Sequence, residues 1–318
     1  MSGPVVGAEL AAPATAPPAA PAGPSIELFD ARTQTVGAIP VRRALPVRAR
    51  RTVGAWCFAD QMGPLAVAPD AGAGGARGID VGPHPHTGLH TVTWLLAGEA
   101  RHLDSLGSDQ VIRPGQLNLM TAGHGVVHAE EGTGYRGPLH GVQLWVAQPE
   151  ATRHGPAAFE HHAELPVTDA AGPAVATVLL GEFAGAVSPA RRDTELIGVD
   201  LELRAGRAVL PLRPDFEHAL LVTAGAVQVA AGPVAQPGQL AYLGLGRDEL
   251  VLESTEPTRA LLLGGVPFAE PILMWWNFVG RTRAELTAAV DQWESRDGRF
   301  GPVASTLRRI HAPAPPWR

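Results

Sequence analysis

Lysine is absent from this chain of 318 residues, so all 25 basic residues are arginine. That excludes a Schiff-base lysine and a phosphate loop of the Walker type, since both chemistries need the side-chain amine. The single cysteine, Cys57, cannot close an internal disulfide and offers no thiolate set to a metal, which suits a reducing cytoplasm. No apolar run reaches the roughly 18 residues needed to cross a bilayer. Residues 1–24 are rich in Ala and Pro but lack a positive leading segment and an unbroken apolar core, so they read as a disordered tail and not a signal peptide. A net charge of −6 with no basic cluster argues against direct binding to nucleic acid, whose affinity comes from neutralising many phosphates.

What the chain has in quantity is turn chemistry: 37 glycines and 30 prolines separate short β-prone runs, the pattern of an all-β protein. The length suits two domains. A first strand series runs over 25–150, beginning at Ser25-Ile26-Glu27-Leu28-Phe29. A polar connector with a helical tendency follows at 151–172, where His154, His161 and His162 only mimic a metal cluster. A second series spans 173–280, and 281–318 holds a closing helix and tail. The helix is announced by the capping box Thr282-Arg283-Ala284-Glu285, by Leu286, Ala289, Val290 and Trp293 at helical spacing, and by Asp297-Gly298 as a stop.

The most informative residues are two ligand pairs, His84-Pro85-His86 and His128-Ala129-Glu130. Alternate residues of a strand share a face, so each pair presents two metal-binding groups on one side. Three imidazoles and a carboxylate suit a divalent transition ion, and an octahedral ion so held keeps positions open for water, dioxygen or substrate. Iron, Mn, Co, Ni, Cu or Zn would all accept this donor set. His90 has the parity of His86 and is a candidate to face the same cavity, with a satisfied core histidine or a surface one as its alternatives. Trp94, of the same parity, is a candidate pocket wall, with plain core as its alternative.

The runs Gly82-Pro83-His84-Pro85-His86-Thr87-Gly88, Asp104-Ser105-Leu106-Gly107, Ile112-Arg113-Pro114-Gly115, Met120-Thr121-Ala122-Gly123 and Val127-His128-Ala129-Glu130 resemble the N-terminal cupin of the pirin family. Gly264-Gly265-Val266-Pro267, Trp275-Trp276-Asn277-Phe278-Val279 and Gly298-Arg299-Phe300-Gly301 resemble its C-terminal part, so the likeness spans about residues 25–305. The resemblance implies a bicupin, two antiparallel jelly-roll barrels, with one mononuclear Fe2+-type site formed by His84, His86, His128 and Glu130. It also implies quercetin 2,3-dioxygenase-like ring opening of a flavonol-type aromatic substrate by O2, with Glu130 as ligand and general base. His90 replaces the family's usual glutamate and His124 its usual arginine or lysine, which makes both candidates for the substrate pocket. The alternative function is a metal-dependent redox sensor acting through a protein partner without catalysis, and a purely structural metal site is a third.

A fainter copy of the first series lies in the second: Pro237-Gly238-Gln239-Leu240 repeats Pro114-Gly115-Gln116-Leu117. Counting onward from each proline sets Val251 against His128 and Glu253 against Glu130. The region opposite His84 and His86 is expected at Asp215-Phe216-Glu217-His218, which leaves the C-terminal cupin without its ligands.

Overall fold

The computed structural model describes residues 25–68, 78–169 and 172–317; the expected tail at 1–24 lies outside the described residues. Among them the regular structure is strand throughout, apart from one helix, Arg283–Ser295. Among the described residues no helix is long and apolar enough to cross a membrane.

The strands form two β-sandwiches of one plan. In the first, a seven-stranded sheet runs in the order Ala158–His162, Leu117–Thr121, Leu89–Ala97, Gly137–Ala147, Trp56–Val67, Ile39–Leu45, Arg32–Val36. It covers a four-stranded sheet ordered Val81–His86, Val126–Glu131, Ala100–Asp104, Asp109–Ile112. The second domain repeats this with Glu27–Asp30, Gln239–Gly244, Glu217–Ala224, Thr258–Gly265, Leu196–Leu203, Ala174–Leu180 and Val167–Asp169. Its smaller sheet is Gly206–Pro211, Glu249–Ser254, Val227–Val229 and Val234–Ala235.

The repeated Pro-Gly turns match bond for bond. Gly115 and Gly238 have φ of 82° and 88°. The Gln116 amide donates to Arg113 O at 3.1 Å and that of Gln239 to Gln236 O at 2.9 Å, while each glutamine side chain accepts from the amide three residues back at 3.0 Å. The strand order corrects one alignment, however. The counterpart of Val81–His86 is Gly206–Pro211, not Asp215–His218, because Val209 pairs with Val251 as His84 pairs with His128. His218 is instead the second residue of the strand Glu217–Ala224, as His90 is of the equivalent strand Leu89–Ala97. The positions of the second cupin that match His84, His86 and His128 therefore carry Val209, Pro211 and Val251, which have no side-chain donor atoms.

Two further expectations are corrected at the sheet edges. The connector holds strands instead of a helix: Ala158–His162 closes the first large sheet and Val167–Asp169 the second. An edge presents unpaired N–H and C=O groups, and pairing them outweighs the weak helical preference of the segment. Glu27–Asp30 joins the second domain, pairing with Gln239–Gly244, because Ile26 and Leu28 pack on that domain's core.

The two large sheets also pack against each other. Trp56, Val92, Trp94, Leu144 and Val146 meet Leu221, Tyr242, Leu261 and Leu263 in a core shared by both domains, whereas the alternate residues Leu220, Val222 and Leu262 fill the second sandwich. Each large sheet is thus buried on both faces, which explains the continuous apolar run of Leu261-Leu262-Leu263. The helix is capped by Thr282, whose hydroxyl accepts from Glu285 N at 3.1 Å. Arg296, in the left-handed conformation, ends it just before Asp297-Gly298. Its buried face, Leu286, Ala289, Val290 and Trp293, packs with Trp276, Phe278 and Val127 of the first domain.

Candidate metal centre

His84 and His128 face each other as direct partners across the antiparallel pair formed by Val81–His86 and Val126–Glu131. Between His84 and Val81 the former strand carries one residue more than its partner, a bulge at Gly82-Pro83. This turns the Gly82 carbonyl onto the ring of its own strand neighbour, 2.8 Å from His84 Nδ1. His86 Nδ1 donates to Asn277 O at 3.0 Å. Asn277 sits in a two-residue hairpin turn with Trp276, which is wholly buried at φ 54°. A bulky residue rarely adopts that conformation, and here the surrounding packing holds it there and aims the Asn277 carbonyl at the site.

The three imidazoles converge. Their ligand atoms lie within 4.8 Å of one another, and His86 Nε2 is 3.1 Å from His128 Nε2. Two nitrogens each about 2.1 Å from one ion and about 90° apart would stand about 3.0 Å from each other, so the spacing fits a shared divalent ion. All three rings are at most 1% exposed. Burial, the largest influence, pushes His84 down to about 3, and burial followed by the neighbouring His84 holds His86 and His128 well below the ordinary histidine range. They are neutral imidazoles at neutral pH, the form that binds metals.

Glu130 is buried two residues beyond His128 and pairs in register with His102. The group that closes within 4.8 Å consists of the three histidines, and Glu130 stands outside it.

Two expected pocket residues lie elsewhere, for one reason. Thr87-Gly88 is a turn, with Gly88 at φ 68°, that ends one sheet and starts another. Strand parity counted from His86 therefore does not carry through to His90. His90, Val92 and Trp94 face the second domain. His90 Nδ1 lies 2.9 Å from Thr121 Oγ1 and its Nε2 3.1 Å from Asp193 Oδ2. The Trp94 indole donates to Asp200 at 3.0 Å within the shared core. The aromatic side chain that meets the histidines is Trp145, whose ring stands edge-on to His86 at 5.2 Å and stacks on Phe58 at 4.0 Å.

His124 is exposed on the rim of an outward cavity of about 250 Å³ that also includes Thr87 and Gly88, and its carbonyl accepts from Arg299. In the connector, His161 bonds Asn118 at 2.7 Å and His162 bonds Glu160 at 3.0 Å.

Sequence reasoning passed over a third alternate pair, His102-Leu103-Asp104, although its spacing carries the same signal as the other two. His102 Nδ1 lies 3.4 Å from His128 Nδ1, and His102 Nε2 donates to Asp104 Oδ2 at 3.0 Å. Burial pushes the Asp104 carboxyl up, but the bond from His102 and the amide of Ser108 outweigh it and hold the group below the usual carboxylate range. Trp145 and Asn277 could have been found only from the fold.

Comparisons with known proteins agree with this architecture. The family models described as Pirin and as Pirin C-terminal cupin domain match residues 38–146 and 198–301. A protein of Pseudomonas aeruginosa named "Putative quercetin 2,3-dioxygenase" is 47% identical over 284 residues, covering 89% of this chain and 88% of that protein. A "Pirin-like protein" of Caulobacter vibrioides is 38% identical over 275 residues, covering 84% and 92% respectively. The crystal structure of a quercetin 2,3-dioxygenase from Acinetobacter baumannii has a TM-score of 0.87 at 40% identity, covering 92% of this chain and 96% of that one.

Proposed function

The chain belongs to the pirin family, and from that premise we propose that it is a metal-dependent dioxygenase opening flavonol-type aromatic substrates with O2. The observation that carries the proposal is the convergence of three buried, neutral imidazoles on one point. His84, His86 and His128 would hold the ion, with Glu130 as the fourth ligand. We favour Fe2+ from the family, while the same donors accept Mn, Co, Ni, Cu or Zn. When bound, the ion supplies Lewis acidity and a route for electrons between substrate and O2.

The chain's own residues have distinct tasks in this reading. The Glu130 carboxylate takes the proton of the substrate's hydroxyl, which raises the electron density of the ring to be opened. Burial excludes water, so the deprotonated substrate is not stabilised in an unreactive hydrated form. Trp145, edge-on to His86, presents an apolar face, and its indole N–H is buried without a partner among the described residues, as is the side-chain amide of Asn277. Buried donors of this kind suit a polar visitor beside the rings.

Oxygen uptake by iron-loaded protein on adding quercetin tests the reading. Wild-type protein is expected to consume O2 with formation of a ring-opened product. Glu130→Gln is expected to lower the rate by about 10²–10⁴-fold. Unaltered turnover in that variant would remove Glu130 as the base.

Near-total burial of the rings favours a second reading, a redox sensor, since an ion closed off from solvent acts on its surroundings through packing. Absence of turnover with any flavonol, together with a protein partner bound in one oxidation state alone, would select it.

A further inference from the structure

We infer that His102 and Asp104 are positioning residues for the metal centre, acting as a buried relay that sets the tautomer of His128. The inference rests on the metal reading above. A neutral imidazole carries one proton, and only its other nitrogen can bind an ion. For His84 and His86 backbone carbonyls make the choice. Gly82 O and Asn277 O can only accept, so both Nδ1 atoms donate and both Nε2 atoms keep lone pairs.

His128 is the remaining member, and its proton has two places to go. On Nε2 it would point to His86 Nε2, 3.1 Å away, and block the centre. On Nδ1 it would point to His102 Nδ1 at 3.4 Å.

Asp104 decides between them. Its Oδ1 is fixed by the amides of Leu106 and Ser108 at 2.9 and 3.0 Å, and its Oδ2 lies 3.0 Å from His102 Nε2. A carboxylate can only accept, so His102 carries its proton on Nε2 and turns a lone pair from Nδ1 toward His128. Stacking on Phe159, at 4.4 Å and 11°, keeps the His102 ring in that plane. The lone pair calls for a proton on His128 Nδ1 and frees His128 Nε2. Three nitrogen lone pairs then face one point without a proton among them, an arrangement that a cation relieves.

Asp104→Asn is a sharp test, because the amide keeps an oxygen for Leu106 and Ser108 but offers N–H groups to His102. That reverses the His102 tautomer and, through it, the His128 tautomer. Competition for Co(II) against a chromophoric chelator reads affinity, and nitrogen-15 shifts of the metal-free protein read which ring nitrogen of His128 is protonated. Asp104→Asn is expected to bind Co(II) about 10- to 100-fold more weakly, the usual cost of losing such an outer partner, with the His128 proton moved to Nε2. His102→Phe keeps the stacking on Phe159, removes the acceptor, and is expected to weaken Co(II) binding by a similar factor; it carries the test if Asp104→Asn does not fold. Wild-type protein that binds Co(II), with both variants folded and equal to it in affinity and tautomer, would overturn the relay alone. Wild-type protein that takes up no Co(II) would overturn the metal reading, and the relay with it.

Discussion

Two buried histidines outside the His84, His86 and His128 group, His140 and His218, make the fold sensitive to acid. His140 accepts at Nε2 from the Gln61 amide at 3.2 Å, a bond that protonation would turn into a clash of donors. Burial is the main cause that pushes each of these two rings from 6.5 down to about 4. Between those values the unfolded chain binds more protons than the folded one, so their contribution is complete above about pH 6.5 and is lost as pH falls toward 4. Urea midpoints measured across that window should decline, and His218→Leu should flatten the decline. At this scale the convergence of His84, His86 and His128 was legible because two alternate pairs on strands need nothing but local geometry, whereas the third pair, His102 and Asp104, went unread. His90 and Trp94 were misplaced because one glycine turn between sheets resets which face a residue sees.

Among the elements, the C-terminal segment is the one that lies against the strand Val81–His86. Beyond the helix the chain folds back over Val81–His86: Ile310 N donates to Pro83 O at 2.9 Å, and the indoles of Trp293 and Trp275 each hold a tail carbonyl, Ile310 O and Pro313 O, at 3.0 Å. The approach at Gly82 is so close that a Cβ there would lie 1.9 Å from Arg308 O. Gly82→Ala should therefore lift the tail and destabilise the protein by about 1–3 kcal/mol, seen as a lower melting temperature. In a chain ending at Gly301 the same substitution should cost little, and an equal cost in both backgrounds would show that the tail is not what Gly82 accommodates. The helix itself was readable from its capping box and apolar stripe, since both are local. Its docking beside Val127, and the strands hidden in the connector, were not, because an open sheet edge elsewhere in the fold creates the demand for them.

For the whole molecule, the face that the two large sheets share is what makes two cupins one body. Trp94, on the first domain, donates to Asp200 of the second, which Arg259 also holds at 2.6 Å. Trp94→Phe should leave that buried carboxylate short of a donor and lower stability by about 1–3 kcal/mol. It should do so in a single unfolding transition for both domains, with Co(II) uptake unchanged; a loss of uptake would return Trp94 to the metal cavity. The bicupin plan and the alternate histidine pairs could be read along the chain, because turn residues, alternation and repeated motifs are encoded within a few residues of where they act. Which face of each strand looks into a barrel, which edge each terminal segment joins, and which carbonyl or carboxylate lies against each imidazole were settled by long-range folding. Those outcomes depend on partners far away in the chain, such as Asn277 for His86 and Asp193 for His90, and no local pattern records a contact that only folding brings about.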